Sequence, residues 1–157
     1  MGAGETRARR WARRLLSAAY LVAGLAHLRS PAGFVAITPG WVPWPNEVVA
    51  LTGLAELAGA AGLLVPHTRR AAAIGLASYA LCVWPANFHH ALNDIPLGGV
   101  HLGWWYHGPR LALQPVLIWW ALWAGGVTDW PFSGGAPSAG RGPSACRAGR
   151  TRRRTPP

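Results

Sequence analysis

One largely apolar run, residues 46–65 (NEVVALTGLAELAGAAGLLV), constrains the fold of this chain more than any other feature. A helix of about 20 residues is roughly 30 Å long, which matches the hydrocarbon core of a bilayer. Glu56 lies in the middle of the run, where a charged side chain costs about 2.5–3.5 kcal/mol. We therefore expect Glu56 to be either protonated or paired inside a helical bundle, and we take it as the first candidate for a functional residue.

The composition supports a membrane protein, because 51% of the residues are hydrophobic and only 13% are charged, against about 25% charged in soluble domains. Four runs are long enough to span a bilayer: residues 11–28, 46–65, 70–92 and 109–127. They predict an all-α fold, an integral membrane four-helix bundle within residues 1–132 that crosses the cell membrane several times. Residues 133–157 are rich in Gly, Pro, Ser and Arg, which predicts a disordered basic tail.

The arginines predict the orientation of the bundle. The chain has no lysine, and all its arginines but Arg29 and Arg110 lie before or at the very start of the first span, at the junction of the second and third spans, or after the fourth. Because positive charge collects on the cytoplasmic side of a membrane, an even number of spans with both termini cytoplasmic fits this distribution. The net charge of +10 is thus explained by the lipid bilayer as a partner, and we expect no nucleic acid.

The predicted orientation collects polar side chains from all four spans in the outer half of the bundle. A polar pocket that opens outward would explain this clustering, since such groups are costly in lipid. The candidate pocket residues are Glu56, His27, Asn87, His89, Arg110 and Gln114.

Structural roles are open for the same residues. Arg110 could extend to lipid headgroups, and Asn87 and Gln114 could form hydrogen bonds between helices. Glu56 could equally hold the bundle together without a ligand. His89 and His90 are adjacent, about 100° apart on a helix, so both cannot face one ligand, and we expect no metal site.

Four short segments resemble corresponding segments of the DoxX-like membrane proteins. They are residues 53–59 (GLAELAG), residues 85–89 (PANFH), residues 110–114 (RLALQ), and His27 followed by Pro31. The resemblance implies a bundle of four transmembrane helices. It also implies an association with quinol oxidation, sulfur-compound oxidation or a membrane oxidoreductase complex, or else a role in assembly without catalysis.

Two functions follow as expectations. In the first, the chain is a non-autonomous subunit of a quinone-linked membrane redox system. Glu56 and either His27 or His89 would exchange protons with the quinone, while Arg110, Gln114 and Asn87 would orient its carbonyl oxygens. In the second, the chain is a non-enzymatic assembly or chaperone protein, or a small-molecule binding protein.

An autonomous enzyme is not expected, because the sequence contains no nucleotide-binding loop, no paired thiol and no nucleophile constellation. His27 and His89 could face each other across the bundle as haem ligands, but we do not expect a haem.

Overall fold

The computed structural model describes residues 6–131, and these residues form an all-α fold, as predicted. Its five helices are α1 (Arg7–Arg29), α2 (Pro31–Ala36), α3 (Pro45–Leu64), α4 (Arg69–Leu92) and α5 (Trp104–Ala124). Within the described residues there is no strand, only an isolated bridge between Leu97 and Val100. The tail predicted to be disordered, residues 133–157, lies outside the described residues.

Two of the long helices differ from the predicted spans in where they begin. Helix α1 starts at Arg7, because the Thr6 hydroxyl caps it by accepting the N–H of Arg9 at 3.3 Å. Helix α5 starts at Trp104 rather than at residue 109, because Gly103 (φ 65°) redirects the chain and Pro109 is accommodated inside the helix. The short helix α2 lies in a segment for which no helix was predicted.

The four long helices form an antiparallel bundle. Along the contact between α1 and α3 the paired residues run in opposite directions, since the Ser17 hydroxyl donates to the Ala60 carbonyl while Gly24 faces Gly53. Helices α3 and α4 form a hairpin joined by residues 65–68. Helix α5 packs against α4 and α1, which closes the bundle. We call the end with residues 65–68 the turn end and the end with α2 and residues 93–103 the loop end.

Glycines bring α1 and α3 into close contact near the loop end. A Cβ atom on Gly24 would lie 2.7 Å from the Gly53 carbonyl oxygen, and one on Gly53 would lie 2.8 Å from the His27 Cβ. These distances are too short for any side chain, so glycine at both positions allows the two backbones to approach. The contact fixes the relative height of the neighbouring His27 and Glu56.

The packed core lies at the turn end, whereas much of the outer surface of the bundle is apolar. Leu16, Leu63, Leu76 and Ala121 are almost completely buried there, one on each long helix. Two helices of the described residues, α3 and α4, are long and apolar enough to cross a membrane. Only 28% of the apolar window of each is buried, so most residues of each window are at least partly exposed.

Candidate functional site

A cavity of about 820 Å³ lies between the helices in the loop-end half of the bundle. Helices α1 and α3 pack closely as one pair and α4 and α5 as another, and both pairs line the cavity together with α2 and the segment that follows it. Most of the lining side chains are apolar. Cavities of about 300–1,000 Å³ with apolar walls and a few polar groups are typical of small-molecule sites.

His27 and Glu56 form a pair across the contact between α1 and α3. Side chains on a helix lean towards its N-terminus. Because α1 and α3 are antiparallel, the side chains of His27 and Glu56 lean towards each other and meet at the level of Gly24 and Gly53. The Nδ1 atom of His27 lies 3.0 Å from Oε2 of Glu56 and 2.9 Å from the Ala23 carbonyl oxygen. A single N–H is therefore placed between two acceptors. The His27 ring also stacks on Phe34 of α2, with centroids 3.8 Å apart.

Glu56 is buried, with 4% of its surface exposed, so it does not face the outside of the bundle. Its Oε2 atom has no well-aligned hydrogen-bond donor. The hydroxyl of Tyr79, on α4, interacts with the Glu56 carboxylate and with Thr52 one turn away on α3. Polar groups from α1 and α4 thus hold the carboxylate, while its Oε2 atom is without a well-aligned hydrogen bond.

Asn87 and Gln114 connect α4 to α5. The amide nitrogen of Asn87 donates to Oε1 of Gln114 at 3.3 Å, and Nε2 of Gln114 donates to the Ala80 carbonyl oxygen at 2.5 Å. Both side chains are buried and line the cavity. This arrangement bridges the two helices and orients the amides along the cavity wall.

Arg110 also binds within the α4–α5 pair, through His90. Its Nη1 donates to Nδ1 of His90 at 2.9 Å, and Nε2 of His90 lies 3.0 Å from the Ile95 carbonyl oxygen. Because a guanidinium can only donate and a carbonyl can only accept, this pattern assigns the His90 proton to Nε2. A neutral, fully buried His90 therefore anchors Arg110 at the cavity and holds the loop that follows α4.

Five of the six predicted pocket residues line this one cavity: Glu56, His27, Asn87, Arg110 and Gln114. His89 does not line it, because its Nδ1 atom faces the Ile37 carbonyl oxygen at 3.2 Å and so connects α4 to the end of α2. His90, the next residue of α4, is the histidine that contacts a cavity residue, Arg110.

Sequence reasoning missed Tyr20, Thr52 and Tyr79, which also line the cavity. Thr52 had a usable signal, since it precedes Glu56 by four residues and so shares its helix face. Tyr20 and Tyr79 had no such signal in the sequence, because aromatic residues in apolar runs are ordinarily core residues. Within residues 6–131, no group of three or more His, Cys, Asp or Glu side chains could hold a metal ion.

Replacing Glu56 tests whether this polar cluster stabilises the bundle. We expect Glu56→Leu to lower the free energy of unfolding by about 1–3 kcal/mol, because His27 and Tyr79 lose their shared acceptor. Glu56→Gln should cost less, since the amide still accepts a hydrogen bond. Thermal unfolding in mild detergent measures both, with Glu47→Gln, an exposed residue in the first turn of α3, as the control. A Glu56→Leu protein as stable as wild type would contradict a stabilising role for the cluster.

A family model described as a domain of unknown function (DUF8561) matches residues 16–125, which is more than half of the chain. The matched residues include α2 to α5 and the part of α1 from residue 16 onward. No curated protein and no solved structure is significantly similar to the chain.

Proposed function

The chain belongs to the family described as a domain of unknown function (DUF8561), and we propose that it is a multi-pass membrane protein that binds a small lipophilic molecule. The observation that carries this proposal is the 820 Å³ cavity, whose wall is mostly apolar and contains the His27–Glu56 pair. Both features suit a ligand that is mainly apolar and has a polar end.

The outer surface of the bundle supports the membrane part of the proposal. A core helix of a soluble protein would be mostly buried, whereas only 28% of the apolar windows of α3 and α4 is buried. Helices α1 and α5 also expose large apolar side chains that do not line the cavity, including Leu15 and Val22 on α1 and Val116 on α5. Exposed apolar surface of this extent is unfavourable in water and suits lipid. We therefore propose that all four long helices cross the membrane.

The arginine distribution supports the proposed orientation, in which both termini and residues 65–68 are cytoplasmic. In that orientation Arg7–Arg14 and Arg69–Arg70 lie at the cytoplasmic turn end, and the cavity lies in the outer half of the membrane. Trp41 and Trp104, both exposed at the loop end, would then lie at the outer interface, where tryptophan is enriched.

Reporter fusions test this topology. We expect a cytoplasmic signal from fusions after residues 68 and 140 and an external signal from fusions after residues 45 and 100. Alkaline phosphatase, which is active only outside, and green fluorescent protein, which fluoresces inside, give opposite readouts for each position. An external signal at residue 68 or 140 would overturn the four-span arrangement.

The resemblance to DoxX-like proteins supports a finer proposal, that the chain is a non-autonomous subunit of a quinone-linked redox system. A quinone exchanges protons when it is reduced, and His27 and Glu56 are titratable groups placed together at the cavity. Asn87, Gln114 and Arg110 all bind partners within the α4–α5 pair. Their role in orienting a carbonyl oxygen would therefore depend on their remaining N–H groups.

The alternative is a binding or assembly protein without turnover. It is supported by the hydrogen bonds that Asn87, Gln114 and Arg110 form within the α4–α5 pair. Because the polar groups of the cavity bind each other, they stabilise the bundle even when no molecule is bound. The molecule that copurifies with the chain separates the two proposals: a quinone, haem or flavin supports the redox subunit, whereas a non-redox lipid or a bound membrane protein supports the alternative.

A further inference from the structure

Arg110 keeps one edge of its guanidinium group without a protein partner at the cavity. Its Nη1 atom donates to Nδ1 of His90, whereas Nε and Nη2 have no hydrogen-bond partner within residues 6–131. Neither of these two atoms is completely buried, and Arg110 lines the cavity. Because Nε–H and one Nη2–H point in parallel from the same edge of the planar group, this edge can bind two oxygen atoms of a molecule in the cavity.

The guanidinium group is also fixed in position. The fully buried His90 accepts from Nη1, and Nε2 of His90 is held by the Ile95 carbonyl oxygen. The ring of Tyr106, one turn earlier on α5, has its centroid 5.9 Å from Cζ of Arg110. A side chain that extended to the lipid headgroups would not make these contacts, so Arg110 presents a preorganised pair of N–H donors to the cavity.

The protein supplies no counter-ion for this guanidinium group within the described residues. Asp94, on the loop after α4, faces His101 at 2.9 Å, and Glu56 faces His27 at 3.0 Å. Neither carboxyl group forms an ion pair with Arg110, nor does any other acidic residue between positions 6 and 131. A guanidinium group does not lose its proton, so its partly buried positive charge would be stabilised by an anion.

The pair of His27 and Glu56 does not supply the missing negative charge. Both side chains line the cavity, and only 4% of Glu56 is exposed. A net charge on so buried a pair is costly, which favours one additional proton, on either Nε2 of His27 or the carboxyl group of Glu56. In both cases the net charge of the pair is zero. The tyrosines and Cys82 of the wall are uncharged at neutral pH, so the net charge of the wall is the single positive charge of Arg110.

From these observations we infer that the ligand is an anionic amphiphile, such as a fatty acid, whose carboxylate binds the Nε–Nη2 edge of Arg110. The inference rests on the proposed function, since it names the class of molecule that the cavity binds. A carboxylate offers this edge two oxygens and one negative charge, whereas a quinone carbonyl offers one oxygen and no charge. The alkyl chain occupies the apolar part of the cavity, beside Leu113 and Leu117. A ligand of this class favours the binding protein without turnover.

A matched pair of ligands tests the inference in the full chain. Dodecanoate and its methyl ester share one alkyl chain, but the ester is uncharged. Thermal unfolding in a non-ionic detergent, at a pH that ionises the acid, measures binding, because a ligand that binds the folded state raises the unfolding temperature as its occupancy increases. We expect dodecanoate to give half-maximal stabilisation at a concentration about tenfold lower than the ester, as a charge-assisted hydrogen bond implies.

The outcomes in the wild-type protein separate the inference from the proposed function. Equal stabilisation by dodecanoate and its ester would overturn the carboxylate inference while supporting the cavity as a lipophile site. Stabilisation by neither compound would contradict the proposed binding function itself. An alkyl quinone or dodecyl phosphate that acts at a lower concentration than dodecanoate would overturn the carboxylate as the head group.

Variants of two arginines at the loop end separate this site from a general attraction of anions to a basic chain. Arg29 is exposed at the end of α1 and does not line the cavity. We expect the preference for dodecanoate to disappear in Arg110→Gln and to persist in Arg29→Gln, which removes the same charge. A preference that survives in Arg110→Gln would overturn the assignment to Arg110. The comparison of acid and ester in the wild-type protein can overturn the inference even if Arg110→Gln does not fold.

Discussion

Replacing Gly24 with alanine is expected to destabilise the bundle by about 1–3 kcal/mol, the usual cost of an overpacked methyl group. The new Cβ atom would lie 2.7 Å from the Gly53 carbonyl oxygen and 2.9 Å from Cγ of Leu57. The first contact is with backbone, so it can be relieved only by moving α1 and α3 apart. Thermal unfolding in mild detergent measures the loss.

Gly75→Ala is the matched control, because it adds the same methyl group in the interior of α4 with no heavy atom within 4 Å. Alanine is a better helix former than glycine by about 1 kcal/mol, so this variant should be as stable as wild type or more stable. If Gly24→Ala gained stability in the same way, α1 and α3 would not be in contact at Gly24. The close contact between α1 and α3 that places His27 beside Glu56 would then be contradicted.

The long helices could be predicted from the sequence because apolar runs of sufficient length have few alternatives to helix. Their ends were less predictable where glycine and proline signals compete. Pro109 looks like a first-turn residue, but Gly103, which can adopt a positive φ, starts α5 at Trp104. Helix α2 is short and none of its residues is buried, so it leaves no apolar pattern to detect.

The polar residues of the site could be proposed from depth alone, since the predicted spans place Glu56, Asn87 and Gln114 at related heights. Their pairing could not be derived in this way. Whether His89 or His90 faces inward depends on the rotation of α4 about its axis, and a helix with apolar residues on all sides gives little information about that rotation. Likewise, the Tyr79 contact with Glu56 depends on how α3 and α4 pack.

If a molecule occupies the cavity between the two helix pairs, filling the cavity should abolish its binding. Ala23 on α1 and Ala86 on α4 both line the cavity and are half-buried. In the double variant Ala23→Trp/Ala86→Trp, two indole rings would take up the space that a ligand needs. The matched control is Ala18→Trp/Ala112→Trp, because Ala18 and Ala112 are exposed on α1 and α5 and do not line the cavity.

Mass spectrometry of the small molecules extracted from detergent-purified protein measures this occupancy directly. We expect a lipophilic molecule at close to one per chain in the wild-type protein and in the Ala18→Trp/Ala112→Trp control, and its loss from the Ala23→Trp/Ala86→Trp variant. Retention of the same molecule at the same stoichiometry in the cavity-filled variant, with the fold intact by thermal unfolding, would contradict binding in the cavity.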